Sequence, residues 1–258
     1  MEMPKGNVRL YSGLKGEEKW NSYWKAFKLD AAKRATCELT VREILELLRE
    51  YIGLNNGLRI LDLGCGQGDI DILLTEKSNF PILSIDISGE ALKVALERIT
   101  KQGLEEKIKL IKADAYDLSF KDNSFDIVLS FGYGSVGSYV GIQKEIFRVL
   151  KPGGVAIIDF RHLSIYNTLL TPREFFSQWK RFRSGREIKI YHFGQLGVKE
   201  HFRQFGLILE DIRRFNTYPP LRNIGFPKLY MLFENTFGRL FKPILSRVFL
   251  AKFRKVPL

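Results

Sequence analysis

Cysteine and histidine are scarce in this 258-residue chain, and each scarcity excludes something. Two cysteines, Cys37 and Cys65, cannot form a disulfide framework, so the expected compartment is the reducing cytoplasm. With three histidines as well, no Cys/His cluster has metal-ligand spacing, and no metal is expected. No apolar run reaches the roughly 20 residues a membrane span needs. The N-terminal stretch MEMPKGNVRLYSG has no apolar core of a secretory signal. Acidic residues are sparse only in the last 98 positions. Residues 1–160 carry 22 Lys+Arg against 23 Asp+Glu, whereas residues 161–258 carry 19 against 6. The whole net charge of +12 therefore comes from the C-terminal part. Such asymmetry points to an anionic partner or to a solubilising surface.

What is present is an alternation of apolar strands and helical segments. Residues 1–16 read as a loose arm and 17–53 as helical. Thr40 and Glu43 fit a capping box ahead of Ile44, Leu45, Leu47, Leu48 and Tyr51. From residue 58 short strands are expected at Leu58–Leu63, Ile82–Asp86, Ile108–Lys112, Phe125–Ser130 and Val155–Phe160, with helices between them. This order implies an α/β fold with a doubly wound, mostly parallel sheet and helices on both faces. Residues 1–57 form an N-terminal arm and helices packing on a core domain of 58–258, which carries insertions at about 161–193 and 218–246. A helix at about Val198–Phe205, a strand at Leu207–Phe215 and a last strand at Arg247–Lys255 complete the expectation.

The strongest local signal is Leu61-Asp62-Leu63-Gly64-Cys65-Gly66-Gln67-Gly68-Asp69, between a strand and a helix. There, backbone N–H groups can meet an anion, and glycines let a ligand approach. The spacing is Gly-x-Gly-x-Gly. A dinucleotide fingerprint would place its third glycine at Asp69, and the Gly-Lys-Ser/Thr of a phosphate loop is absent.

Together with four further segments, this loop resembles the class I S-adenosylmethionine-dependent methyltransferases, in particular their small-molecule and lipid-type subgroup. The segments are Ser84-Ile85-Asp86-Ile87-Ser88, Lys112-Ala113-Asp114-Ala115, Asn123-Ser124-Phe125-Asp126-Ile127-Val128 and Val149-Leu150-Lys151-Pro152-Gly153-Gly154. The resemblance implies a seven-stranded sheet with its last strand antiparallel, and S-adenosylmethionine as cofactor. It places Asp62, Gly64, Cys65, Gly66 and Gly68 beside the methionine part of that cofactor. Asp86 would take the ribose hydroxyls, with Ile87 next to it. Asp114 would accept from the adenine amino group, with the Ala115 N–H serving a ring nitrogen. Ser130 and Phe131 would lie by the methionine amino group. Cys65 itself reads as a small packing residue of the turn.

Methyl transfer from a sulfonium is an in-line displacement, and the protein mainly aligns donor and acceptor. A hydroxyl or carbon acceptor also needs a base. The catalytic candidates are His162, Tyr133 and Asp159; His162 is the best base candidate but reads more readily as a surface or capping residue, and Tyr133 reads equally as packing on the cofactor. His201 is expected to face solvent. The Asn/Asp-Pro-Pro-aromatic motif of amino-nitrogen methylation is missing after Ser130. Trp20, Tyr23, Trp24 and Phe27 share a helical face that either packs on the core or covers the site. Residues 217–258 interleave eight Lys+Arg with many aromatic and aliphatic residues. That pattern suits peripheral contact with an inner membrane surface, the wall of a lipophilic pocket, or, less well, RNA. The expected activity is methyl transfer to a small or lipophilic acceptor. The alternatives are an RNA methyltransferase and a cofactor-binding interaction subunit without catalysis.

Overall fold

A computed structural model describes residues 13–27, 31–52, 57–131, 140–161, 194–217, 232 and 246–256. Two helices come first, α1 (Gly13–Ala26) and α2 (Ala31–Leu47). Then follow β1 (Ile60–Leu63), α3 (Asp69–Ser78), β2 (Ile82–Asp86), α4 (Gly89–Lys101), β3 (Ile108–Lys112), β4 (Phe125–Ser130), α5 (Val140–Val149) and β5 (Leu150–Arg161). The chain closes with α6 (Gly194–Arg203), β6 (Leu207–Thr217) and β7 (Ser246–Lys255). The sheet has seven strands in the order β3-β2-β1-β4-β5-β7-β6. Strands β1 to β5 pair in parallel, and β7 runs antiparallel between β5 and β6.

A parallel sheet must be covered on both faces, so its strands read as unbroken apolar runs. All four residues of β1 are buried. One face carries Leu61, Leu63, Val128 and Ile158 against Ile142 and Ile146 of α5 and Phe202 of α6. The other carries Ile60, Ile82, Ile127 and Ile157 against Leu39, Ile44 and Leu47 of α2 and Leu74 of α3. Beside β7, the Phe160 ring stacks on Phe249 at 5.2 Å, and Phe202 stacks on Phe253 at 4.3 Å. These offset pairs seal the sheet where its direction changes.

Three expectations shift. Thr40 does not cap a helix. It lies inside α2, where its hydroxyl donates to Thr36 O at 2.9 Å, while Glu43 pairs with Arg42. The run Ala31–Leu39 is helix-favouring and places Ala35 and Leu39 in the core, so the helix starts earlier. Strand β5 begins at Leu150 rather than Val155. Its pairing with β4 skips from Leu150 to Val155, so residues 151–154 stand out of the ladder as the expected turn. His201 is not solvent-facing: burial lowers its pKa, and its ring lies against Phe202 and Phe205. Nearly all of the two expected insertions lies outside the described residues.

Candidate functional site

The sheet reverses its winding between β1 and β4, so the crevice for a ligand opens at the carboxyl ends of these strands. The glycine loop starts there. The N–H groups of Gly64 and Cys65 both donate to Ile85 O, at 2.8 and 3.0 Å, and tie the loop to the end of β2. The Gly68 N–H closes a turn onto Cys65 O at 3.0 Å. Gly68 then caps α3 in a left-handed conformation, with φ of 73°, which favours glycine. Arg98 of α4 holds the far side, donating to Gln67 O at 2.9 Å and to the Asp69 carboxylate at 2.6 Å.

Asp86 ends β2 and is buried. Its carboxylate accepts from the N–H groups of Gly66 and Ser88, each at 2.8 Å. Burial raises its pKa, and these backbone donors work in the opposite sense. Two clamped oxygens aim the carboxylate from the loop side, leaving their remaining lone pairs for hydroxyl donors. Past β3, the Ala113 N–H donates to Asp86 O at 3.1 Å. The Asp114 carboxylate accepts from the Tyr116 N–H at 3.0 Å, forming a tight turn with buried Ala115 inside it. Asp86, Ile87, Asp114 and Ala115 thus share the ends of β2 and β3.

On the other side of β1, Ser130 ends β4 opposite Leu63, and Phe131 follows. Among the described residues, the Ser130 hydroxyl is buried without a hydrogen-bond partner. Asp62 is buried on β1 with one oxygen equally unpartnered, and burial together with Asp71 drives its pKa well up. Cys65 is also pushed up, by burial and by the carboxylates of Asp71, Asp86 and Asp62. A thiol held neutral in this way is a packing group rather than a nucleophile.

Helix α1 lies across this edge. Asn21 Oδ1 accepts from the Ser88 hydroxyl at 2.6 Å, and Glu17 pairs with Lys112 at 2.6 Å. Trp24 rests on Gly66: a Cβ there would lie 2.5 Å from the indole ring. The aromatic stripe therefore packs on the glycine loop, with Trp20, Tyr23, Trp24 and Phe27 touching one another edge-on or tilted. Tyr23 remains 47% exposed, so the stripe is not buried in the core.

The catalytic candidates are not brought together among the described residues. Asp159 lies inside β5 opposite Leu250 of β7, separated from β1 by β4. Tyr133 and His162 lie outside the described residues. Missed in the sequence were Asn21 over the loop, Arg98 behind it and Asp71 beneath it, whereas Trp24 belongs to the stripe read as core packing or cover. Only Asp71 left a local sign. It occupies a buried position of α3 next to Ile72, and one turn before Leu74 and Thr75.

The profile of a methyltransferase domain family matches residues 54–182, which is half of the chain. The chain belongs to this methyltransferase domain family. Similar curated proteins include a demethylmenaquinone methyltransferase of Listeria monocytogenes, 38% identical over 46% of this chain and 49% of that protein. Another is a chloroplastic 2-phytyl-1,4-beta-naphthoquinone methyltransferase of Arabidopsis thaliana, 41% identical over 43% and 44%. The matched region thus spans about half the length of these relatives or less. Among solved structures, a phosphoethanolamine N-methyltransferase 2 of Haemonchus contortus in complex with S-adenosyl-L-methionine aligns with a TM-score of 0.62. It is 18% identical and covers 95% of this chain and 61% of that one, a likeness of fold.

Proposed function

We propose that this chain transfers a methyl group from S-adenosylmethionine to a small, lipophilic acceptor of quinone type. The observation that carries the reading is the doubly clamped Asp86 beside the Gly64–Gly68 turn, in a domain whose curated relatives are named for quinone methylation. A carboxylate fixed at the end of β2 suits a pair of ribose hydroxyls. Asp114 and the Ala115 N–H, one strand over, suit the adenine edge, with Ile87 beside it. Asp62, Ser130 and Phe131 flank the opening where an amino-acid moiety fits, and the orphaned oxygens of Asp62 and Ser130 are partners for its ammonium group. Gly64, Cys65, Gly66 and Gly68 form the floor.

When bound, S-adenosylmethionine supplies an electrophilic methyl group on a sulfonium. The chain's own contribution is alignment, exclusion of water and, for a hydroxyl or carbon acceptor, removal of one proton. Helix α1, seated over the glycine loop, provides the cover. Tyr133, Asp159 and His162 are the candidates for the proton. We place the enzyme in the cytoplasm, working at the inner membrane surface where a lipophilic quinone dissolves. The basic, aromatic residues 218–245, which would make that contact, lie outside the described residues apart from Leu232.

The test is methyl transfer from radiolabelled S-adenosylmethionine into a cell extract, separated into lipid, RNA, protein and small-molecule fractions. Label in the lipid fraction on a quinone is expected. Label in RNA would replace this reading with the nucleic-acid alternative. Absence of label in every fraction, with cofactor binding intact, would favour a non-catalytic role.

A further inference from the structure

Beneath the glycine loop lies a pair of carboxyl groups that the cofactor reading uses only in part. Asp62 stands on β1 directly opposite Ser84 of β2, and both point to the face that α3 covers. From the first turn of α3, Asp71 is buried at the same place, so that the carboxyls of Asp62 and Asp71 are electrostatic neighbours. Asp71 is wholly buried. Among the described residues, neither of its oxygens is met by a cation or a backbone N–H. Its neighbours are the Asp62 carboxyl and the Ser84 hydroxyl.

The surrounding charges do not relieve the pair. Asp69 on α3 and Asp86 on β2 add negative potential, and the Cys65 thiol of the loop is neutral. The nearby cation of α4, Arg98, is spent on Asp69 and Gln67 O. On α2, which packs on α3, Arg42 is paired with Glu43. On β3, Lys112 is paired with Glu17 and Lys109 with Glu106. Two like charges in contact, buried and without a cation, cannot both ionise.

We propose that Asp62 and Asp71 share one proton in the ligand-free protein and release it when the ammonium group of the cofactor seats on Asp62. The inference rests on the cofactor reading above and adds a positioning residue, Asp71, that acts through Asp62. Charge balances simply. The free pair carries one proton and one negative charge. The arriving ammonium keeps its own protons and stabilises the second negative charge, and the shared proton leaves to solvent. Burial pushes Asp71 up to about 6 and Asp62 well above the usual carboxylate range, so above about pH 6 the free pair still holds one proton.

The test is calorimetric titration of the full chain with S-adenosylhomocysteine in buffers of different ionisation enthalpy, between pH 6.5 and 8. Wild-type protein should release close to one proton per ligand in this range. Its affinity should rise up to about tenfold per pH unit until the pair ionises unaided. In Asp71→Asn, or in Asp71→Ser should the first fold poorly, Asp62 loses its like-charged neighbour but stays buried near Asp86, so its pKa falls only part of the way back; ligand binding should release fewer protons than in wild type, and affinity should depend less on pH. Wild-type binding without proton release, or equal release in the variants, would overturn the proposal. Failure of every protein to bind would overturn the cofactor reading and the ligand-linked step with it. The shared proton has a separate readout without ligand: Asp71→Asn should gain Tm over wild type as pH rises from 4 to 7. A constant difference across that range would refute the sharing.

Discussion

The indole of Trp24 lies so close to Gly66 that no side chain fits between them. The contact joins α1 to the turn on which the whole site is built, and it gives Gly66 two independent reasons to be glycine. One is a φ of 56°, and the other is the indole ring 2.5 Å from where a Cβ would stand. Gly66→Ala should therefore destabilise the protein by about 1–3 kcal/mol, from backbone strain and the clash together. The double variant Gly66→Ala with Trp24→Ala removes the clash and keeps the strain. Denaturant unfolding should show the double variant less destabilised than the sum of the two single changes; strict additivity would place Trp24 elsewhere in solution.

The same contact predicts an optical signal. A ligand whose methionine part enters beside Gly66 must change the surroundings of the Trp24 indole. Titration with S-adenosylhomocysteine should alter the tryptophan fluorescence, and Trp24→Phe should lose most of that change while Trp20 still reports on α1. An identical change in the variant would remove Trp24 from the site.

Acidity should affect wild-type stability in a particular direction. A carboxyl whose folded pKa is raised adds stability below the ordinary carboxylate range and loses it as pH rises through the folded value. For Asp71 that window runs from about 4 to about 6. At pH 7.5, Asp71→Asn should be more stable than wild type by on the order of 1–2 kcal/mol, because a neutral amide of the same shape replaces one of two neighbouring buried carboxyls that lack a cation. Thermal unfolding of both proteins across pH 4–8 checks this, and a less stable variant at pH 7.5 would contradict it.

Lys255 near the C-terminus should matter for folding rather than for partners. Its ammonium is buried and donates to Phe147 O and Leu150 O, each at 2.7 Å, and to Asn123 Oδ1 at 2.8 Å, closing the carboxyl end of α5. Lys255→Met should cost about 2–3 kcal/mol, since carbonyls at the helix end lose a charged donor. A Tm unchanged within one or two degrees would show that water replaces the ammonium.

The sheet and the glycine turn were legible because their signals are local. Apolar runs of four to six residues alternated with helical spacing, and Gly64, Gly66 and Gly68 marked a turn that other residues rarely adopt. The ends of β2 and β3 were legible for the same reason, since Asp86 and Asp114 close apolar strands. Position in space was not legible. Trp20, Tyr23, Trp24 and Phe27 at helical spacing describe a core helix as well as a cover, and only the tertiary contact with Gly66 separates the two. Asp71 sits in the first turn of α3, where a carboxylate suits the helix N-terminus, yet it is buried toward the sheet. Basic residues of β7 looked like surplus charge. In the fold, Lys252 meets Glu50 and Arg254 meets Glu210 and Glu50, partners far away in the sequence.

Equilibrium binding of S-adenosylhomocysteine to wild type and to Asp86→Ala tests the central claim most directly. The account predicts saturable binding by the wild type and a loss of about 10- to 100-fold in the variant, the worth of charged hydrogen bonds to two hydroxyls. Equal affinity of the two proteins, or no binding by the wild type, would contradict it.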